Sequence, residues 1–265
     1  MIRIVTYNLE FGGRGREDAI YAVLSHLDAD VVGLTEADDP DVAAELAQRL
    51  EMQYVWAEGS GDRHIATLSR YPILDWQIYN TPPLTQAVLE TRLDAPGGPV
   101  TVYNVHFLPY LLLPFEIRRW QAVGALLRVI GERPSTPHLI IGDLNAIGPG
   151  DRVRQSRNPA RMKRVMLLQL RLIFRLAIPR LLKAGYVDCY RALHPREDGF
   201  TWWTINPTTR YDYILADPLM AQRLQSCDVI TDHEAISAAS DHFPLLAHFV
   251  GAAGRADVLS DSELS

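Results

Sequence analysis

Short apolar runs that are rich in β-branched residues recur along most of this chain. Runs of this kind are typical of strands that lie buried in a sheet. The pattern predicts strands at Ile2–Tyr7, Val31–Leu34, Ala66–Ser69, Val88–Leu93, Val100–Val105, Leu139–Ile141 and Tyr211–Leu215. Prolines and glycines punctuate the region between the third and fifth of these runs, which indicates hairpin connections there.

Segments with apolar residues at helical spacing lie between several of the predicted strands. The stripe in Glu17–Leu27 predicts a first helix, and the stripe in Asp41–Leu50 predicts a second with Asp41 as its N-cap. A third helix is predicted at Glu116–Ile130, and Pro134 is expected to stop it. The mixture of strands, crossover helices and hairpins predicts an α/β protein.

The composition, 48% hydrophobic and 22% charged, is ordinary for a soluble globular protein. One domain is expected over residues 1–250, with a flexible acidic tail over 251–265. Cys189 and Cys227 are too few for a disulfide framework, so reduced thiols are expected. No stretch approaches the roughly 20 apolar residues that span a bilayer, and no signal peptide is evident, so the expected location is cytoplasmic.

The net charge of −6 is unevenly distributed. Residues 152–183 contain ten Lys or Arg and no Asp or Glu, so the rest of the chain sums to −6 − 10 = −16. Within this segment Met162–Leu182 reads as a basic amphipathic helix with Arg164, Arg171 and Arg175 near one face, which Pro179 should kink or end. Three roles remain open for it: contact with anionic lipid, contact with a nucleic-acid backbone, or a solvated helix.

Acidic, amide or imidazole side chains repeatedly occur at the ends of the predicted strands, where a sheet scaffold displays functional groups into a cleft. They are Asn8, Glu36, His106, Asp143, Asn145, Asp212, Asp241 and His242. Hydrolysis of a phosphate ester requires these residue types. Carboxylates hold magnesium, a carboxylate or imidazole activates water, and an amide or imidazole stabilises phosphoryl oxygens.

The segments that carry these residues resemble motifs of the endonuclease/exonuclease/phosphatase superfamily, the group of DNase I-like folds. They occur in the family's order over most of the chain, and the pair GDLN and SDH is the most specific. The matching segments are TYNLEFGG from Thr6, VVGLTEAD from Val31, IATLSRYPI from Ile65, YNVHF from Tyr103, IIGDLNA from Ile140, GFTWW from Gly199, RYDYIL from Arg210 and SDHFPL from Ser240.

The resemblance implies a four-layer α/β sandwich in which two packed, mostly antiparallel sheets are flanked by helices. It also implies a Mg²⁺ ion, which Mn²⁺ can replace, bound mainly by Glu36 with Asn8 and Asp241 nearby. In-line attack by water on a phosphodiester or phosphomonoester is the implied reaction. The Thr201 hydroxyl either supports the site, or Thr201 is an ordinary β-strand residue without a role in the site.

Catalytic roles are implied for five further residues of the matched motifs. Asp143 would orient or deprotonate the water, and Asn145 would hold a phosphate oxygen. His242 would stabilise the scissile phosphate as a donor, with Asp212 raising its pKa. His106 matches a second histidine of the nuclease and sphingomyelinase branches.

Two departures count against abasic-site repair. Ala37-Asp38 stands where the AP-endonuclease branch carries a lysine, and Asn104-Val105-His106 replaces its tyrosine-valine-proline motif. The acidic pair Asp38-Asp39 is expected to repel a long phosphate backbone. The uncharged stretch Phe107–Phe115 is either core or an apolar lip beside the site.

Several substrates and one non-enzymatic function remain open. The phosphate ester could belong to a nucleic acid, as in a DNA or RNA endonuclease or exonuclease. It could also belong to a lipid headgroup, as in a sphingomyelinase-like enzyme, or to a small molecule. The alternative from another class is an inactive binding module on the same fold.

Overall fold

The computed structural model describes residues 1–59, 61, 63–84, 86–133, 136–160, 163–164, 167, 170 and 172–251. Two six-stranded sheets form its centre. The first has the order β11-β12-β1-β2-β4-β3 and contains β1 (Ile2–Asn8), β2 (Val31–Thr35), β3 (Gln53–Ala57), β4 (Ile65–Ser69), β11 (Leu224–Val229) and β12 (Leu245–Phe249). The second has the order β5-β6-β7-β8-β10-β9 and contains β5 (Ile73–Tyr79), β6 (Val88–Leu93), β7 (Val100–His106), β8 (His138–Asp143), β9 (Val187–Asp188) and β10 (Asp212–Ala216).

Each sheet is antiparallel except for one pair, β1 with β2 in the first sheet and β7 with β8 in the second. The helices of the described residues are α1 (Glu17–Leu27), α2 (Pro40–Arg49), α3 (Leu113–Gly131), α4 (Ala177–Lys183), α5 (Cys189–Leu193), α6 (Pro218–Ala221) and α7 (Ile236–Ala239). Helices α1 and α2 cover the first sheet, and α3 and α4 cover the second. The predicted fold, two packed and mostly antiparallel sheets flanked by helices, is confirmed.

Both faces of the central strands are buried, which explains why the sequence shows continuous apolar runs rather than alternation. In β1, Ile4 lies in the core between the sheets, whereas Val5 lies in the core under α1 and α2. Asn104 of β7 is a buried polar exception between the sheets. Its Nδ2 donates to the backbone oxygens of Leu34 at 3.0 Å and Ala66 at 2.9 Å, so it ties the second sheet to the first.

The first two predicted helices need one correction. Helix α1 has the predicted bounds, but the N-cap of α2 is Asp39 rather than Asp41. The side chain of Asp39 accepts from the Asp41 N–H, and Pro40 occupies the first helical position, where the missing N–H costs no hydrogen bond. The third helix is confirmed with wider bounds, and Pro134 lies outside the described residues.

The prediction of one continuous basic helix over Met162–Leu182 is wrong, although Lys163, Arg164 and Leu167 are helical as predicted. Residues 172–176 are not helical, and α4 begins only at Ala177 with Pro179 inside its first turn. Arg175 Nε and Nη2 donate to the backbone oxygens of Gly148 and Asp151, which holds the chain away from a helical path. The buried Glu116 carboxylate then accepts from the Leu176 and Ala177 N–H groups at the start of α4.

Arg171 and most of residues 161–171 lie outside the described residues, as does the predicted tail beyond Gly251. Within the described part of the chain, no helix is both long enough and apolar enough to cross a membrane.

Candidate active site

The two parallel strand pairs deliver their C-terminal ends to one edge of the sandwich. In the first sheet Asn8 ends β1 beside Thr35, so Glu36 follows next to it. In the second sheet Asp143 ends β8 between His106 of β7 and Asp212 of β10, its register partners on either side. The residues predicted from strand ends are therefore brought together.

Asn8 bridges the acidic residues of the two sheets. Its Nδ2 lies 3.3 Å from Glu36 Oε1 and 3.1 Å from Asp143 Oδ2. Its Oδ1 accepts from the Glu10 N–H at 2.8 Å. The amide thus faces both carboxylates through its N–H groups, and this contact fixes the spacing between Glu36 and Asp143.

Glu36 is buried and sits in the left-handed region of backbone space, with φ 49°. Its Oε2 accepts from the Phe11 N–H at 2.9 Å, and its Oε1 pairs with the Arg63 guanidinium. Burial acts to raise the pKa of the carboxyl, but neighbouring positive charge, including Arg63, and the Phe11 N–H lower it below its usual value. Glu36 is thus held as a carboxylate that faces a cation.

His242 and Asp212 form a buried ion pair. His242 Nδ1 lies 2.8 Å from Asp212 Oδ2, while the backbone N–H groups of Tyr211 and Asp212 donate to the Thr201 hydroxyl. Burial acts to lower the pKa of His242, but Asp212, together with Asp143 and Asp241, raises it to about 10. The imidazole is therefore a cation at neutral pH, with Nε2 left to face the cleft.

Asp143 is the central carboxylate of the site. Its Oδ1 accepts from the Asn145 N–H at 2.8 Å, and its Oδ2 lies 3.9 Å from His242 Nε2. Burial and the nearby Asp212 raise the pKa of Asp143 well above its usual value. Asn145 adopts φ 47° and donates from Nδ2 to the Phe107 oxygen at 3.0 Å, which aims its amide at the cleft edge.

Asp241 is more exposed than the other acids and lies at the cleft mouth. Its Oδ2 accepts from the indole N–H of Trp202 at 2.9 Å, and its Oδ1 lies 3.9 Å from His242 Nε2. Distances of 3.9 Å are too long for hydrogen bonds, so an oxygen atom of water or substrate can lie between the imidazole and each carboxylate.

His106 is completely buried beneath Asp143 rather than in the cleft. Its Nε2 lies 3.9 Å from Asp143 Oδ2, and neither ring nitrogen has a hydrogen-bond partner among the described residues. Burial lowers the pKa of His106 to about 4, so the ring is neutral near pH 7. His106 thus lies behind Asp143 and interacts electrostatically with Glu36 and His242 as well.

The cleft has a volume of about 150 Å³ and is lined by Glu10, Phe11, Glu36, Arg63, Pro109, Tyr110, Asp143, Asn145, Trp202, Tyr211, Asp241 and His242. Pro109 and Tyr110 belong to the uncharged stretch after His106. That stretch is therefore partly core, since Phe107 and Leu111 are buried, and partly an apolar lip of the cleft.

Two groups of side chains could hold a divalent cation. One is Asp143, Asp212 and His242, whose ligand atoms lie within 4.8 Å of one another. Since Asp212 Oδ2 and His242 Nδ1 already bond to each other, this group suits a proton better than a metal. The other is the Glu36 carboxylate, which fits a cation because the Arg63 guanidinium already occupies that position as a stand-in.

Sequence reasoning missed Arg63 and the indole of Trp202 as polar contacts of the site. Arg63 precedes β4 in a loop that no hydrophobic pattern marks, whereas Trp202 belongs to the quoted GFTWW segment. Thr201, for which two roles were open, does support the site through the Asp212 backbone. His64 does not line the cleft, and its Nδ1 accepts from the Gly59 N–H.

Asp38 and Asp39, the acidic pair expected to repel a long phosphate backbone, differ in their partners. Asp38 accepts from the His64 N–H at 2.8 Å. Asp39 caps α2 and pairs with Arg14. Asp39 is therefore paired with a cation, whereas a hydrogen bond from a backbone N–H leaves the negative charge of Asp38 in place.

The sequence model described as the Endonuclease/Exonuclease/phosphatase family matches residues 5–242 of this chain. Among solved structures, the chain is similar to an AP endonuclease from Archaeoglobus fulgidus, with 19% identity and a TM-score of 0.72 over 94% of this chain and 99% of that chain. It is equally similar, with 20% identity and a TM-score of 0.72, to the 3′ phosphatase NExo from Neisseria bound to a product DNA hairpin, over 94% and 100% of the two chains. At these identities the likeness shows the fold.

Proposed function

Because the chain belongs to the endonuclease/exonuclease/phosphatase family, we propose that it is a divalent-metal-dependent phosphoesterase that hydrolyses its substrate by in-line attack of water. The observation that carries the proposal is the buried Asp212–His242 pair facing Asp143, across the cleft from the ionised Glu36. A cationic donor and an anionic cluster at one cleft are the two elements that phosphoryl transfer requires.

Glu36, with Asp241, would hold magnesium, or manganese in its place. Asn8, also expected near the ion, would position the Glu36 carboxylate instead, because its Nδ2 faces the carboxylates and its Oδ1 accepts from the Glu10 N–H. The bound ion would neutralise charge on the phosphate oxygens and orient the ester. Hard carboxylate oxygens suit this role, and the pairing of Glu36 with Arg63 supports a cation at that position. Arg63 has to leave Oε1 when the ion binds.

The protein's own side chains would carry the proton and charge steps. Asp143 would accept a hydrogen bond or proton from the attacking water, while the Asn145 N–H fixes the carboxylate plane. His242 would donate from Nε2 to a non-bridging phosphate oxygen and stabilise the charge that builds in the transition state. Asp212 would keep the imidazole protonated and oriented from behind.

A nucleic acid is the substrate class that we propose first. The support is the described function of the structural neighbours, which include a 3′ phosphatase bound to a DNA hairpin and a 3′-5′ exonuclease from Neisseria meningitidis. Phe11 and Trp202 line the cleft and offer flat faces against which a base or sugar can stack. Lipid headgroups and small phosphate esters are alternatives without a comparable observation.

The deciding experiment is a panel assay of the full chain with magnesium, manganese or a chelator. Plasmid DNA, RNA, a 3′-phosphorylated oligonucleotide, sphingomyelin and inositol phosphates are the substrates, with bis-p-nitrophenyl phosphate as a generic diester. Metal-dependent turnover of a nucleic-acid substrate, lost in Asp143→Asn and His242→Gln, is the expected result. Turnover that persists in both variants, or with the chelator, contradicts the mechanism.

A further inference from the structure

The N-terminal half of α3 exposes apolar side chains on one face. Leu113, Ile117 and Trp120 are spaced four and three residues apart and are 36%, 41% and 43% exposed. This spacing places them on one side of the helix, while the opposite side packs on the second sheet. These three side chains remain more than a third exposed, although Arg180 covers one face of the Trp120 ring, and such an apolar helix face indicates a partner surface rather than core.

Helix α4 extends this face with an apolar residue and two cations. Leu176, which precedes α4, is 39% exposed. The Arg180 guanidinium lies 4.0 Å from the centre of the Trp120 ring and donates to the Trp120 backbone oxygen. The groove between the helices, about 350 Å³, is lined by Trp120, Arg175, Leu176, Pro179, Arg180 and Lys183. We call Leu113, Ile117, Trp120, Leu176, Arg180 and Lys183 the α3–α4 face.

Negative charge is missing from the described residues around this face. From Phe107 to Gly131 the one acidic residue is Glu116, which is 1% exposed because it caps α4. No acid occurs in the sequence from 152 to 183. Arg118 is exposed on α3 itself, next to Ile117. The face therefore combines insertable apolar side chains with a cationic rim.

We propose that the α3–α4 face is a docking surface for an anionic lipid bilayer. Two features of the face favour an anionic bilayer. Exposed Leu, Ile and Trp side chains fit the boundary between headgroups and acyl chains, and the Arg and Lys side chains at the rim attract anionic headgroups. A nucleic-acid backbone would use the cations but would leave the three apolar side chains of α3 without a favourable contact.

The α3–α4 face lies close to the cleft, so docking would bring the bilayer near the active site. Pro109 and Tyr110 line the cleft, and α3 begins at Leu113, three positions after Tyr110. The buried Arg119 of α3 donates to the backbone oxygens of Leu108 and Tyr110 at 2.6 and 2.9 Å, so lip and helix form one unit. A bound bilayer would therefore lie beside the cleft mouth, whichever phosphate ester the enzyme cleaves.

The test is flotation of the full chain with vesicles of phosphatidylcholine alone or mixed with phosphatidylglycerol. Binding to the mixed vesicles is expected, with little binding to the neutral ones. The apolar variant Ile117→Ser/Trp120→Ser should lower the partition coefficient at least about tenfold. Arg118→Gln/Lys183→Gln should lower it by about fivefold for each charge removed.

The matched control is Leu74→Ser/Trp76→Ser on β5, where the two side chains are 49% and 50% exposed. It should bind vesicles like the wild type, which separates the α3–α4 face from general surface hydrophobicity. Thermal unfolding of each variant reports on the fold. If the apolar double variant unfolds early, the single variant Leu113→Ser takes its place.

Three outcomes would overturn the proposal. The first is failure of the wild type to float with anionic vesicles, and the second is unchanged flotation of the folded apolar variant. The third is evidence that the face binds something other than a bilayer. Duplex-DNA binding that depends on Arg118 and Lys183 without vesicle binding assigns the face to nucleic acid, and a dimer lost in Ile117→Ser assigns it to a second copy.

Discussion

His242 donates from Nδ1 to Asp212 Oδ2 over 2.8 Å, and both side chains are buried. Burial alone would make the imidazole neutral, so the carboxylate decides its protonation state. The Tyr211 and Asp212 N–H groups bond to the buried Thr201 hydroxyl, which fixes the strand from which the carboxylate projects. The proposed mechanism requires this pair because a neutral imidazole would offer the phosphate a weaker donor.

Asp212→Asn is expected to move the alkaline limb of the pH–rate profile to lower pH. In the wild type the limb should lie near pH 10, because Asp212 and the other acids raise the pKa of His242 to about 10. In the variant it should approach the ordinary histidine value of about 6.5. Turnover near neutral pH should fall by roughly 10²–10⁴. An unchanged alkaline limb in the variant would show that His242 does not act as the protonated donor.

The same pair makes a prediction for stability. The pKa of His242 is raised in the folded state, so the pair stabilises fully below the unfolded value of about 6.5 and loses this effect as pH rises through about 10. The difference in unfolding midpoint between wild type and Asp212→Asn should therefore be largest in mild acid and shrink at high pH. A difference that grows with pH would contradict the ion pair.

Asp143→Asn is expected to separate activity from stability. Turnover should fall at least about 100-fold, since the variant cannot accept a proton from water. Burial and Asp212 raise the pKa of Asp143, so ionising it on folding costs stability above its unfolded pKa of about 4, and this cost grows with pH. The variant lacks that cost but also loses one hydrogen bond accepted from Asn145 or Asn8, so its unfolding midpoint relative to the wild type should rise from mild acid to neutral pH. Asp75→Asn on exposed β5 is the control and should change neither property.

Arg63→Gln is expected to strengthen metal binding. The guanidinium pairs with Glu36 Oε1, the atom proposed to bind the ion, so it competes with any cation there. The pair is partly exposed, which limits the effect to roughly fivefold in the metal dissociation constant. The readout is the shift of the unfolding midpoint with magnesium concentration. Arg70→Gln removes an ion pair with Asp28 away from the cleft and should leave the shift unchanged. Weaker metal binding in Arg63→Gln would mean that Arg63 supports the site.

Much of the sheet and the strand-end residues could be predicted from the sequence because central strands are buried on both faces. Val88–Leu93 has the predicted bounds, and Asn8, Glu36 and Asp143 follow or end their strands at one edge. All four edge strands, β3, β5, β9 and β11, were missed. Gln53–Ala57 and Ile73–Tyr79 carry exposed polar and aromatic residues, so neither shows a continuous apolar run.

Contacts between distant segments account for what sequence patterns missed at the site. Arg63 meets Glu36 across 27 positions, and Trp202 meets Asp241 across 39, so neither pair has a local signature. The prediction of one continuous helix in the basic segment failed for the same reason. Its amphipathic pattern predicts a helix, but Glu116 and the Gly148 oxygen bind residues 175–177 from elsewhere in the chain and fix a break.

Gly142→Ala is expected to damage both the fold and the site. Gly142 has φ +133°, and a Cβ there would lie 1.9 Å from the backbone oxygen of Val105 on the neighbouring strand. Since Asp143 follows directly, relief of the clash would displace the proposed catalytic carboxylate. Gly98→Ala is the matched control, because Gly98 has φ +111° but nothing within 4 Å of the added carbon. The control should lose about 1 to 3 kcal/mol from backbone strain alone. Gly142→Ala should lose at least about 1 to 3 kcal/mol more in denaturant unfolding, together with most of its turnover. Equal losses in the two variants would mean that the close approach of β7 and β8 does not constrain the position of Asp143.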